Sequence, residues 1–408
     1  MSLPYIISPK AIARLAEFAA PLAPPLAAVA FITDAHTREG AGRIAEKLLI
    51  RAGYRVRPRM VKNSAAASLQ DARSLNICED VQLLIGAGGE ETAELVKYAA
   101  ARRRLPCAFI AVNPSCVRLL PSSAALIDSA GIEKTYSTPP FAFVLCDTDF
   151  LSAAPKNACA AAFGAVVSKC VSLFDYRVSG ILNKERFCAQ RSARGYAVID
   201  ELLTRLAPPF NFSSAAPLLA EASLAFSHLV REAGNARLLN GGEVQAAHVL
   251  RLLFLYEQRH FRQRGENEFL CASAVAGIYQ NLLAAPPAFF APPPDNNARL
   301  KQIVQYLGIA EADASVCMRP VPAPQDLKIA AYRLKEYRAE LYTEARALVS
   351  RLARARTVFK RLYADDGYAL QEYLDPPDIA LAVALAPDLK EKYTLLSYMK
   401  DAGLLESL

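Results

Sequence analysis

The segment LLIGAGGEETAELVKYAA, residues 83–100, sets Gly86, Gly88 and Gly89 between an apolar run and a helical pattern. A glycine turn opening a helix suits phosphate, because the bare backbone can approach an anion at the positive helix end. Glu90 and Glu91 follow the glycines directly. In a first helical turn each glutamate favours the helix by ~0.3–1 kcal/mol. A carboxylate about 5 Å from a pyrophosphate opposes it by on the order of 3 kcal/mol at an effective dielectric of ~20. The turn has the shape of a dinucleotide site and a charge that weakens it.

Few other side chains offer chemistry by type and spacing. The histidines are His36, His228, His248 and His260, and the nine cysteines are scattered without a C-x-x-C. That scatter argues against a disulfide framework or a zinc knuckle and leaves most cysteines as small core residues. His248 lies one helical turn beyond Val244, with Glu243 and Glu257 nearby. Those groups leave a rebuilt metal site open, against the commoner reading of a hydrogen-bonded structural histidine. The densest basic stretch, RLARARTVFKR at 351–361, carries Leu352, Val358, Phe359 and Leu362 at helical spacing. It reads as a solvated helix face rather than a nucleic-acid surface.

The elements that must position these groups divide the chain. With 408 residues, 53% hydrophobic and 21% charged, there is room for two domains and a large core. Residues 26–150 alternate apolar runs (LAAVAFITD, YRVRPRMV, VQLLIG, CAFIAVNP, FAFVLCDTD) with helical patterns near 38–51, 65–73 and 90–103. Strands separated by helices imply a parallel α/β sheet with ligands at its carboxyl edge. Thr33-Asp34, Gly86 to Gly89 and Asn113-Pro114-Ser115 all fall at that edge. Beyond about 155 the periods are helical, broken at Pro208-Pro209, Pro286-Pro287, Pro292 to Pro294 and Pro376-Pro377. The expectation is an α/β Rossmann-like domain over 1–155 and an all-helical domain over 156–408, with a cleft between them. No apolar run approaches the ~20 residues of a membrane span, and residues 1–18 lack signal-peptide order. The expected location is cytoplasmic, and neither membrane nor nucleic acid is an expected partner.

Several strings resemble the superfamily of iron- or zinc-dependent alcohol dehydrogenases and dehydroquinate synthases, above all its sn-glycerol-1-phosphate dehydrogenases. The turn from Gly86 through Glu94 and Lys97 is similar to G-x-G-G-G-T-x-x-D-x-x-K, and LPCAFIAVNPS is similar to L-P-x-x-x-V-P-T. FVLCDTDFLSAAPKNACAAAFGAVVSKCVSLFDYRVS and the terminal KEKYTLLSYMKDAGLLESL resemble further family strings, in the family's order. The resemblance implies NAD(P) on the glycine turn and a divalent cation held by one aspartate and two histidines. Carried over residue by residue, those ligand positions hold Ala165, Val244 and Arg264. Alanine and valine cannot ligate, and arginine offers only donors. The family's D-G-x-x-S string is also missing around Cys116 to Leu120.

Two readings follow. The first is a degenerate relative, a pseudoenzyme with no metal and NAD(P) disfavoured. It would bind an anionic small molecule through Arg264 and Lys169, or a protein partner, a homodimer among them; an ion pair of Arg264 with Glu243, Glu257 or Glu266 is the bland alternative. The second is an active NAD(P)-dependent oxidoreductase acting on a polyol or polyol phosphate, with Lys169, His248 or Tyr176 as candidate proton donors.

Overall fold

The computed structural model describes residues 5–61, 66–207, 210, 212–259, 263–284, 295–363, 376–389 and 392–405. His260, Pro208-Pro209, the prolines from 286 to 294 and part of the terminal string lie outside them. Two compact units emerge: Met1–Ala162 with Pro209–Asn235, and Phe163–Pro208 with Ala236–Leu408.

In the first unit six strands form one parallel sheet: β1 (Tyr5–Ser8), β2 (Ala28–Asp34), β3 (Arg55–Val61), β4 (Val81–Gly88), β5 (Cys107–Ala111) and β8 (Val144–Asp147). Their order is β1-β8-β5-β4-β2-β3, and every pairing is parallel. A short antiparallel hairpin, β6 (Ser123–Ile127) and β7 (Glu133–Ser137), stands apart. Central strands are apolar throughout because successive residues feed two different cores. Ala30, Ile32, Leu84 and Phe109 pack on one face, and Val29, Phe31, Leu83, Ile85 and Ile110 on the other. The edge strand β3 instead carries exposed Arg55 and Arg57 and half-buried Arg59 around Pro58, a composition that blunts further strand pairing.

The strand order changes direction beside β2: β3 lies on one side of it and β4 on the other. Such a switch point opens a crevice at the carboxyl ends of the two strands, where ligands of open α/β sheets bind. Asp34 ends β2 there and Gly88 ends β4. The helix Glu90–Arg103 follows immediately, starting from Gly89 and closing on Arg104 in the left-handed region at φ 55°.

The second unit is helical among its described residues. The stretch Lys156–Asn183 has the length and mean hydropathy (1.5) of a membrane span, yet 94% of its most apolar window is buried in the fold. The sequence reading missed this stretch because Ser168 and Lys169 interrupt it. Against it pack the helices Gly242–Tyr256, Arg264–Ala284 and the 40-residue helix Pro324–Tyr363. The last buries Leu334, Leu341, Ala345, Leu348, Leu352, Ala355 and Leu362, the three-and-four spacing of a single apolar stripe. The helix Phe212–Ala233 returns to the first unit, and the Ser227 hydroxyl accepts from Leu120 N–H at 3.0 Å. The sequence placed that segment in the helical domain.

Candidate functional site

The glycines at the switch point do different jobs. A Cβ on Gly86 would meet Val96 Cγ2 at 2.6 Å and Phe109 Cδ2 at 2.8 Å, so this glycine lets the helix pack closely on β4 and β5. Gly88, at φ +156°, turns the chain over Asp34, whose Oδ2 would lie 2.6 Å from its Cβ. Asp34 is occupied locally, accepting from Thr37 N–H at 2.8 Å and Thr92 Oγ1 at 3.1 Å. A Cβ on Gly89 would stand in ordinary contact with the Asn113 side chain, Nδ2 at 3.7 Å, and with Glu91 Oε2 at 3.8 Å, and no side chain caps the helix that Gly89 begins. Uncapped backbone N–H groups at a helix start suit a phosphate.

The two glutamates separate. Glu90 is buried, and its Oε1 accepts the Arg118 N–H at 2.8 Å. Its carboxylate is therefore spent on the chain segment after β5, while Glu91 keeps Oε2 beside Gly89, 3.8 Å from that glycine's Cβ position. The helix also turns Glu94 and Lys97 inward. Glu94 accepts from Ala125 N–H at 2.7 Å, and the Lys97 ammonium donates to the carbonyls of Arg118 at 2.9 Å and Ser123 at 2.5 Å. Burial pushes the Lys97 pKa down, and Glu94, 3.6 Å away, opposes that shift.

In the second unit the carried-over ligand positions lie on three helices, those of Val244 and Arg264 packed against each other. Gly164, before Ala165, abuts the Gly265 backbone, after Arg264, so closely that a Cβ would overlap its carbonyl oxygen. Ala165 and Val244 are buried and Arg264 half-buried. One helical turn beyond Ala165, the Lys169 ammonium sits 2.7 Å from Glu268 and 3.6 Å from Glu243, all three nearly inaccessible to solvent. Glu243 also accepts from the Ser172 hydroxyl. Burial raises its pKa to about 7 against the opposing pull of Lys169. Lys169 is thus committed to carboxylates, which removes it from the expected anion-binding pair. Sequence reasoning passed over Glu268, although it stands one turn beyond Arg264, facing as Lys169 does from Ala165.

The other candidates scatter. His248 is buried with Nδ1 3.1 Å from the Arg251 guanidinium, and Glu257 pairs with Arg259 at 2.6 Å, so neither converges with Glu243. His228 pairs with Glu232, and His36 is exposed. Tyr176 accepts from Cys188 N–H through its hydroxyl. Among the described residues no three His, Cys, Asp or Glu side chains gather as a metal would require. The residues present at Ala165, Val244 and Arg264 do not fit a cation, and no chemical step is derived through one.

Comparison with known proteins extends the resemblance. Residues 6–155 match the iron-containing alcohol dehydrogenase family. A glycerol-1-phosphate dehydrogenase [NAD(P)+] of Bacillus velezensis is 25% identical over 315 residues, covering 72% of this chain and 78% of the relative. One from Methanosarcina barkeri is 24% identical, covering 64% and 73%. In fold, the chain superposes on an alcohol dehydrogenase from an archaeal halo-thermophile of a Red Sea brine pool, with TM-score 0.62, 10% identity and 99% and 97% coverage. For a glycerol dehydrogenase of Schizosaccharomyces pombe the TM-score is 0.53, at 16% identity and 90% and 91% coverage. The resemblance read in the sequence holds.

The expectation of a protein without cofactor, with NAD(P) disfavoured and no metal, is overturned by these relatives, which are NAD(P)+ enzymes within an iron-containing family. Of the two glutamates behind the electrostatic argument, Glu90 accepts from Arg118 N–H, while Glu91 stays beside Gly89.

Proposed function

As a relative of the iron-containing alcohol dehydrogenase and dehydroquinate synthase-like superfamily, this chain is, we propose, an NAD(P)-dependent oxidoreductase of a polyol or polyol phosphate such as glycerol 1-phosphate. The observation that carries the reading is the uncapped helix start at Gly89, set at the switch point between β2 and β4. A bound nicotinamide dinucleotide supplies hydride transfer. The chain's part is to hold its phosphates: the N–H groups from Gly89 onward donate, and Gly88 bends the strand end away so that the anion can reach them. Glu91 also stands in the first turn, and its half-exposed position lets water screen its charge.

Titration with NADH and NADPH, followed by assay of dihydroxyacetone phosphate reduction with and without added iron or zinc, tests the reading. Binding with turnover supports it; absence of both overturns it. A second reading, an anion-binding relative that does not turn its ligand over, draws on Ala165 and Val244, which have no side-chain donor atoms where the sequence resemblance implies metal ligands. Binding without turnover under every metal condition would favour it.

A further inference from the structure

A cavity of about 670 Å³ opens within the second unit, walled by the helices Arg264–Ala284, Pro324–Tyr363, Pro376–Leu389 and Leu395–Asp401 and by Leu404 and Leu405 after them. Its floor is buried: Phe269 and Phe359 stack with ring centroids 4.3 Å apart, and Met399 stands with them. Around the floor Leu270, Ile278, Ile379 and Leu405 are left half-buried. Packed interiors leave few voids larger than a water molecule, and this volume falls within the range of small-molecule sites, ~300–1,000 Å³.

The lining selects the chemistry of an occupant. Among the described residues its polar side chains are Ser273 and Arg356. Ser273 donates to the Phe269 carbonyl of its own helix at 3.5 Å. A peptide in this space would bring a donor and an acceptor with each residue and find almost nothing to meet them, whereas an alkyl chain brings neither. Arg356 lines the cavity and is also exposed, so it stands at the mouth, and it makes no ion pair among the described residues. Lys360 is exposed one helical turn further on. From Ala345 to Tyr363 the helix carries no acid, and Asp378, next to Ile379, is taken by Arg259. The mouth is therefore positive above an apolar floor.

We propose that this cavity binds a single-chain amphiphile with an anionic head, a medium-chain fatty acid, with its tail over Phe269 and Phe359 and its carboxylate on Arg356. The site is built from the second unit alone and does not depend on the dinucleotide reading. Arginine suits the head because its planar fork meets both oxygens of a carboxylate. The tail supplies most of the affinity, about fourfold for each added methylene. The exposed ion pair supplies about fivefold.

Calorimetric titration of the full chain with octanoate, decanoate, dodecanoate and decanol, below micelle-forming concentrations, tests both halves. One molecule should bind per chain, more tightly as the tail lengthens from octanoate to dodecanoate. Arg356→Gln should weaken decanoate about fivefold and leave decanol within twofold. Ala274 lines the cavity, and Ala274→Phe, which sets a ring into the space, should remove fatty-acid binding. Arg356→Gln changes an exposed side chain and decides the matter even if Ala274→Phe does not fold.

Absence of saturable binding to the unaltered chain overturns the proposal. So does decanoate binding that a folded Ala274→Phe chain retains, which would put the ligand elsewhere, or binding by Arg356→Gln within twofold of the unaltered chain, which would take the head away from the mouth. A chain that dimerises, takes up no decanoate and becomes monomeric on Ile379→Glu gives the apolar rim to a second copy and overturns it as well.

Discussion

Lys97 and Lys169 are both lysines buried on helices, and the two units neutralise them in different ways. Lys97 in the sheet unit is held chiefly by backbone carbonyls, with Glu94 at 3.6 Å. Lys169 in the helical unit is held by carboxylates from two other helices, Glu268 at 2.7 Å and Glu243 at 3.6 Å. The contrast extends to function. A phosphate site made of backbone N–H groups needs only the right turn and survives changes of side chain, so Glu90 and Glu91 could enter without destroying its shape. A site made of side chains changes whenever the residues change, and Ala165, Val244 and Arg264 stand at positions whose chemistry is wholly theirs.

The sharpest way to break this comparison is to remove each lysine. Lys169→Ala leaves Glu243 and Glu268 buried with no cation and should cost about 3–5 kcal/mol. Lys97→Met should cost roughly 2 kcal/mol, because the carbonyls of Arg118 and Ser123 lose a donor while Glu94 keeps Ala125 N–H. Thermal denaturation of the two variants measures the difference. Equal losses would mean that the partners of the buried charge do not matter. Combining Lys169→Met with Glu243→Gln and Glu268→Gln should recover much of the first loss, as uncharged groups of similar size replace the cluster.

Gly164→Ala ranks next. Its Cβ would overlap the Gly265 carbonyl oxygen, and two helix backbones must part to admit it, at about 3 kcal/mol. A melting temperature within one or two degrees of the unaltered chain would show that the helices slide apart freely.

The carboxylates supply a pH test. Burial holds Glu243 near a pKa of about 7, above the ordinary 4.5. Between roughly pH 4.5 and 7 the native state keeps a proton that the unfolded chain has released, so stability falls as pH rises through that window and levels above it. The drop is on the order of 3 kcal/mol. Glu243→Gln should flatten that part of the stability profile. A profile unchanged by the substitution would assign the pH dependence to other groups.

How much of this was legible in the sequence follows from the range of the contacts. Strands β2, β4 and β5 show as apolar runs because both of their faces are covered, and Gly86 to Gly89 show as a turn because glycine clusters mark one. Strand β1 is four residues long, and β7, EKTYS, is largely polar and exposed, so neither presents a pattern. Helix Phe212–Ala233 has ordinary amphipathic spacing; nothing in it signals a return to the first unit. The direction of Glu90 depends on the backbone of Arg118, and the pairing of Lys169 depends on two helices distant in the chain. Side-chain types could be read where charge would sit, but not which way it would face.

The smallest effect on stability tests the backbone site itself. Gly89 has φ −92° and ψ −172°, extended backbone that alanine adopts without strain, and its Cβ position is free to 3.7 Å. Gly89→Ala should therefore leave the fold intact and change its stability by less than about 1 kcal/mol, because the gain from a narrower unfolded ensemble is offset by the poorer N-cap that alanine makes. The added methyl lies where a phosphate would rest on the helix start, so NADH, NADPH and pyrophosphate should bind at least tenfold more weakly, or about 1.4 kcal/mol. Affinity then falls while stability barely moves, which separates a ligand-approach glycine from packing glycines such as Gly86. A Gly89→Ala protein that is less stable and binds as before would place this glycine with the packing set and move the phosphate elsewhere.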